Sequence, residues 1–167
     1  MKIKPNYFVI PLITIAVATL GSLFTTNGMM WYDNTLIQPE ITPPDWIFPI
    51  AWNIIFILTT ISTLIVWNKG KDGILQKIFH RHDLVRFRWI IGLFIANAVL
   101  NVVWSLLFFQ LQLINLAFAE MILLETTLIA LIILVWKTSK TASLLLIPYT
   151  LWVGFATYLT YLIVNAN

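Results

Sequence analysis

The feature that most constrains this chain is where its charges are missing. No Asp, Glu, Lys or Arg occurs from Pro5 to Tyr32, from Trp46 to Asn68, from Trp89 to Ala119 or from Thr141 to Asn167. A further apolar segment is broken only by Glu120 and Glu125. A helix crossing a bilayer needs about 20 apolar residues, so 167 residues hold five such spans with short loops. Charged residues make up 10% of the chain, against about 25% in a soluble domain. That composition excludes a soluble globular enzyme and a disordered tail. A net charge of +3 is too thin a surplus for a phosphate-binding patch, which excludes a nucleic-acid-binding domain. Without cysteine there is no disulfide framework, thiolate metal site or Cys nucleophile.

The third uncharged stretch is too long for one span. Its polar break, Gln110 to Asn115, predicts a tight turn between two helices. The spans are expected at about 7–26, 48–67, 89–109, 114–136 and 142–164. The apolar runs do not alternate with period two, as strands of a lipid-facing barrel would. Backbone in lipid must satisfy its own hydrogen bonds, so the expected fold is an all-α bundle of five transmembrane helices. It forms a single domain over residues 1–167. Pro49 falls in a first turn, where its missing N–H costs nothing. Pro11 and Pro148 are expected to kink their helices. Met1 to Lys4 precede an apolar run longer than the roughly 7–15 residues of a signal peptide, which points to an uncleaved first helix.

Topology follows from the basic residues. Lys2 and Lys4 precede span 1. Lys69, Lys71, Lys77, Arg81, Arg86 and Arg88 lie between spans 2 and 3, and Lys137 and Lys140 between spans 4 and 5. All ten fall on one side, and the opposite side has none. The N-terminus is therefore expected in the cytoplasm and the C-terminus outside. The same bias fits a bacterial or archaeal cytoplasmic membrane best.

The tryptophans divide into two groups. Trp67, Trp89 and Trp136 end spans at the cytoplasmic side and read as interfacial anchors. Trp31 and Trp46 fall in the outer loop, over residues 27–47, and Trp52, Trp104 and Trp152 fall within spans. At about 1.5 Å per residue, Trp52 lies roughly 6–8 Å inside span 2, and Trp104 about 22 Å from the inner end of span 3. Trp152 lies near the middle of span 5. Each can face lipid or pack singly. Their similar depth beneath a Trp-bearing loop favours a shared aromatic pocket.

Polar residues within spans narrow the site. Asn97 and Asn101 share a face of span 3, and Ser105 continues the row. An inter-helix packing bond is the alternative reading for both asparagines. Glu120 lies about 9 Å into span 4, where an ionisable group faces the bundle interior. Glu125 is about 140° around the helix from it, so the two do not form an acid/base pair. His80 and His82 sit among basic loop residues, a weak metal signal. No nucleophile–base pair and no metal site is evident. Gly92-xxx-Ala96 on span 3 permits close helix contact and a homodimer.

Three segments carry a family resemblance. The first holds Trp31-Tyr32, Leu36, Pro39, Pro43-Pro44, Trp46, Phe48 and Trp52. The second holds Asn97, Asn101, Trp104-Ser105 and Phe108-Phe109. The third holds Pro148-Tyr149, Trp152, Phe155-Ala156-Thr157 and Leu159. Over nearly its whole length the chain resembles the tryptophan-rich sensory protein/translocator protein (TspO/MBR) family, also called the peripheral benzodiazepine receptor family. The resemblance implies a five-helix bundle, usually dimeric. It implies a pocket under the first loop for porphyrins, haem-like tetrapyrroles and benzodiazepine-type drugs. Trp52, Asn101, Trp104, Trp152 and Ala156 match pocket positions, and Tyr32, Pro43 and Pro44 match the lid. Glu120 stands where relatives carry an acid on the fourth helix. Phe56, Asn97, Ser105 and Phe155 complete the expected ligand-binding set.

The chain also departs from its relatives. Gln38 and Ile41 replace a common Lys and Trp before the Pro-Pro pair, and Thr160 replaces a common Asn. Tyr158 and Tyr161 are followed by no basic residue, which argues against the sterol motif of animal members.

The expected function is a tetrapyrrole-binding membrane sensor or translocator, with no cofactor required and membrane lipid as its surroundings. Light-dependent porphyrin degradation, porphyrin or lipid transport and a purely structural role are the alternatives.

Overall fold

The computed structural model describes residues 4–75 and 81–167, with backbone alone for 71–75 and 81–83. Lys2, Lys77 and His80 lie outside the described residues, as do the side chains of Lys71, Arg81 and His82. The elements are α1 (Asn6–Thr35), α2 (Ile47–Leu75), α3 (Arg81–Ser105), a π-helical turn (Leu106–Gln110), α4 (Ile114–Trp136), α5 (Lys140–Leu144) and α6 (Ile147–Ala166). Five segments are long and apolar enough to cross a membrane, with α5 and α6 together forming the fifth. No strand occurs among the described residues.

Hydroxyls inside the helices are turned back onto their own backbone. Thr25, Thr60, Thr63 and Thr157 each donate to the carbonyl four residues earlier. This satisfies polar side chains where lipid offers no partner.

Helix α4 is the core helix and packs against both α3 and α6. The buried positions of α4 are Ala117, Glu120, Met121, Leu124, Leu128, Leu131 and Val135. Those of α6 include Tyr149, Val153, Ala156, Thr160 and Ile163. Steps of four and three, with Glu120 beside Met121, put each set on one stripe, as knobs-into-holes packing requires. Helix α1, by contrast, buries only Asn6, Gly28 and Tyr32. The bundle is apolar outside and partly polar within. Leu12, Ile15, Ile57, Ile95, Val99, Ile133 and Leu151 are exposed, while Ser62, Asn97, Asn101, Glu120 and Ser143 are buried. That arrangement suits lipid, since a soluble monomer rarely exposes so continuous an apolar girdle.

Polar bonds fix the order of the helices. Thr14 and Thr60 hydroxyls meet at 2.8 Å, and Asn6 donates to Asn68 at 3.2 Å, so α1 and α2 run antiparallel. Ser62 donates to the Ala142 carbonyl, and Ser143 to the Ile132 carbonyl, both at 2.8 Å. At the far end the Ile37 N–H donates to Asn167, joining the loop after α1 to the end of α6. Lys4, Lys69, Arg86, Arg88, Lys137 and Lys140 thus gather at one end of the bundle, and Asp33, Glu40 and Asp45 at the other.

The helices outrun the expected spans. Helix α1 continues to Thr35, so Trp31 and Tyr32 lie on a helix and not in a loop. Nothing breaks it before Pro39, and the 20-residue estimate measures the bilayer, not the helix. Likewise α2 and α3 continue through charged residues expected to form a loop. Pro11 lies within α1, which continues through it. Pro148 kinks no helix interior. The chain breaks at Leu145–Leu146, and Pro148 occupies the first turn of α6, where no N–H is needed. The turn before α4 falls where the polar break put it. Gln112 there takes φ 58°, a left-handed conformation that costs a non-glycine residue about 1–2 kcal/mol.

Gly28 sets the crossing of α1 over the π-turn. A Cβ at this position would overlap the Phe109 carbonyl, so the two backbones touch. At Gly154 a Cβ would meet nothing within 4 Å. Gly28→Ala is expected to destabilise the fold by about 1–3 kcal/mol. Gly154→Ala should be neutral or stabilise by about 0.5–1 kcal/mol. Thermal unfolding in one detergent checks both, and equal melting points would show that α1 does not need this contact.

Candidate functional site

The site is a partly open cavity of about 710 Å³ bordered by α1, α2, α3 with its π-turn, and α6. Its aromatic wall is built by helix phase. Trp52 and Phe56 are one turn apart on α2, with ring centroids 5.7 Å apart. Trp104 and Phe108 are one turn apart at the end of α3 and stack at 5.6 Å. Trp52 and Trp104 meet across the helices at 6.4 Å. Trp152 comes in from α6 and meets Phe48 edge-on at 5.8 Å.

Behind the aromatic wall lies a polar layer. Tyr149 is buried beside Trp52, their rings 6.1 Å apart. Asn101, in the cavity wall, donates to the Tyr149 hydroxyl at 2.6 Å. Asn97, one turn below, lies against the same hydroxyl, and its Nδ2 has no partner among the described residues. Thr160 donates to the Ala156 carbonyl at 2.9 Å, and its hydroxyl oxygen lies 3.3 Å from the Met121 sulfur.

The opposite wall comes from α1 and is made of small and polar side chains. Ala18, Ser22, Thr25, Met29 and Tyr32 recur in steps of four and three, which places them on one face toward the cavity. Gly21 brings this helix close to Ser105, whose Oγ would lie 3.3 Å from a Cβ at position 21. Asp45 and Pro49 line the mouth.

The structure brings most of the sequence-derived site residues together. Tyr32, Trp52, Phe56, Asn101, Trp104, Ser105, Trp152 and Ala156 all line the cavity. Pro43 and Pro44 lie in the loop before α2, away from the lining. Asn97 sits in the polar layer. Phe155 packs on Trp152, 5.8 Å away, outside the cavity. Glu120 lies on α4, which contributes no lining residue, so shared depth does not mean a shared space. Its side chain is buried, and neither carboxyl oxygen has a hydrogen-bond partner among the described residues.

Apart from Tyr32, sequence reasoning missed the wall from α1, together with Phe48, Phe108, Leu159 and Ile163. The small-polar run from Thr19 to Asn27 carries the signal for α1. Phe48, Phe108 and Leu159 stand out in the sequence as motif positions and not as lining.

Five membrane-spanning helices, four of which border an aromatic cavity, define an integral, multi-pass membrane protein. The family pattern of TspO/MBR matches residues 9–165. The tryptophan-rich protein TspO of Chlorobaculum tepidum is 33% identical over 92% of this chain and 90% of its own. That of Bacillus cereus is 30% identical over the full length of both. The human translocator protein is 26% identical over 89% of this chain and 82% of its own. The chain belongs to the TspO/MBR family.

A buried carboxyl without hydrogen-bond partners costs on the order of 1–3 kcal/mol. Glu120→Met removes the polar atoms and keeps the volume, and should raise the melting temperature. A fall in melting temperature would show that the carboxyl is bonded in the folded protein.

Proposed function

We propose that this protein binds a porphyrin- or haem-type tetrapyrrole in the cavity and acts in the membrane as a sensor or translocator. One observation carries the reading: Trp52, Trp104 and Trp152, from three helices, converge on one space. A flat conjugated ring gains most from such walls, since ring faces stack without needing many directed bonds. The volume lies within the range of about 300–1,000 Å³ that suits compact organic ligands. Relatives named tryptophan-rich sensory protein and translocator protein support the same role.

The basic end of the bundle supports a cytoplasmic N-terminus and an outward-facing cavity, by the positive-inside rule. Bacterial and archaeal relatives support a cytoplasmic membrane for the whole single-domain chain. Gly92 is exposed on α3, and a Cβ there would meet nothing within 4 Å. With Ala96 one turn on, it suits a homodimer contact.

Binding is measured by saturable quenching of tryptophan fluorescence on titration with protoporphyrin and its dimethyl ester. Trp52→Phe with Trp152→Phe should weaken binding by about tenfold, or 1.4 kcal/mol, with the melting temperature little changed. Equal affinity in the double variant would remove this cavity as the binding site.

A further inference from the structure

The basic end of the bundle carries more positive charge than the chain itself can answer. Segments 1–4, 69–88 and 137–140 hold all ten Lys and Arg residues but only two acids, Asp72 and Asp83. One corner of that end has a defined geometry. Helix α4 stops at Trp136, and Ser139 starts α5 by accepting a bond from the Ala142 N–H. The same serine oxygen accepts a bond from the Lys69 ammonium of α2 at 3.1 Å. Lys137 and Lys140 flank this serine in the chain, and the Lys140 ammonium lies over the Trp136 ring, 5.7 Å from its centroid. One buried serine thus has three lysines about it, one from α2 and two from the α4–α5 turn.

Like charges gathered at one turn repel, and an anion among them removes the repulsion. Among the described residues no acid pairs with these lysines. Along α4 the nearest acid is Glu125, about 18 Å from Lys137, more than two Debye lengths at physiological salt. Asp72 follows Lys69 on α2, with its side chain outside the described residues. Lys69 gives one of its three ammonium protons to Ser139 and keeps two to donate.

The surroundings decide which anion. Trp136 is half-exposed and ends a span, at the depth where indoles sit between headgroups and tails. Ile133, one turn before Lys137, and Leu144, one turn after Lys140, are exposed apolar side chains. A small soluble anion gains nothing from them. A phospholipid sets its phosphate among the lysines and lays its tails on the apolar faces, as at basic pockets between spans.

We propose that the corner formed by Lys69, Ser139, Lys137 and Lys140 beside Trp136 is a site for the phosphate of an anionic phospholipid. It is separate from the cavity, since Trp52 and Lys69 on α2 are about 25 Å apart along the axis. A phosphate there ties α2 to the α4–α5 turn, where Ser62 already bonds the Ala142 carbonyl.

The test uses the delipidated full chain in one nonionic detergent with three probes: dioctanoyl phosphatidylglycerol, dioctanoyl phosphatidylcholine and glycerol phosphate. Binding is read by native mass spectrometry and by the shift in melting temperature. Phosphatidylglycerol should bind about tenfold tighter than phosphatidylcholine at low salt, and the ratio should fall as salt rises. Lys69→Gln with Lys137→Gln and Lys140→Gln should remove most of that preference, and arginine at the same three positions should keep it. Lys71→Gln with Lys77→Gln and Arg88→Gln deletes the same charge elsewhere in segment 69–88 and should leave most of it. Equal loss from the two glutamine triples, or no loss from the first, overturns the inference. Glycerol phosphate binding as tightly as phosphatidylglycerol overturns the assignment to lipid. If the corner triple does not fold, Lys140→Glu alone, at an exposed position, should cut the ratio about fivefold. An unchanged ratio in that variant overturns the site.

Discussion

Lipid tails offer no hydrogen bonds, and the rest of this structure depends on that. Every backbone N–H and C=O in the spans must be answered from within, so the chain is helical wherever it is apolar. The same pressure acts on side chains. Threonines fold their protons onto the preceding turn, and Ser62 and Ser143 use theirs to tie α2 and α4 to α5. A consequence reaches the cavity. Thr19, Thr25 and Thr160 line it with their protons already on backbone carbonyls, so the solvent outside the bundle helps to set the chemistry inside it.

The cavity exists because the helices are unequally committed to the core. Helices α4 and α6 share a continuous buried seam, and α4 lines no part of the cavity. Helix α1 is held by the Thr14–Thr60 and Asn6–Asn68 bonds toward the basic end, by the approach of Gly21 to Ser105 midway, and by the Gly28 crossing toward the other end. Between those points its small side chains stand away from the large rings of α2, α3 and α6. Small residues facing large ones with no interdigitation leave a gap, and here the gap is the chamber.

How much of this can be read from the sequence differs by physical cause. The five spans are legible because charge is excluded from lipid at a cost every residue reports. The convergence of Trp52, Trp104 and Trp152 is legible because depth along a helix is residue count times rise. Helix ends are not, since charged residues leave the membrane without leaving the helix, and so Tyr32 lies on α1. Depth alone places Glu120 at the level of the rings, and depth does not fix azimuth. Its helix packs behind the cavity. The wall from α1 escapes notice because Ser, Thr and Gly in a span read as neutral filler until a neighbour gives them a face to complete.

The π-helical turn at Leu106–Gln110 shifts the phase of the chain beyond it. Its closing bond runs from the Leu111 N–H to the Leu106 carbonyl, one residue wider than an α-turn. Phe108 and Phe109, adjacent in sequence, are both buried, although neighbours on an α-helix point about 100° apart. Phe108 stacks with Trp104, while Phe109 presents its carbonyl to Gly28 of α1. One extra residue in one turn thus works as a vernier. It lets the end of α3 face the chamber and α1 together, and it sets the angle from which the short turn launches α4 without disturbing the register of the helix below.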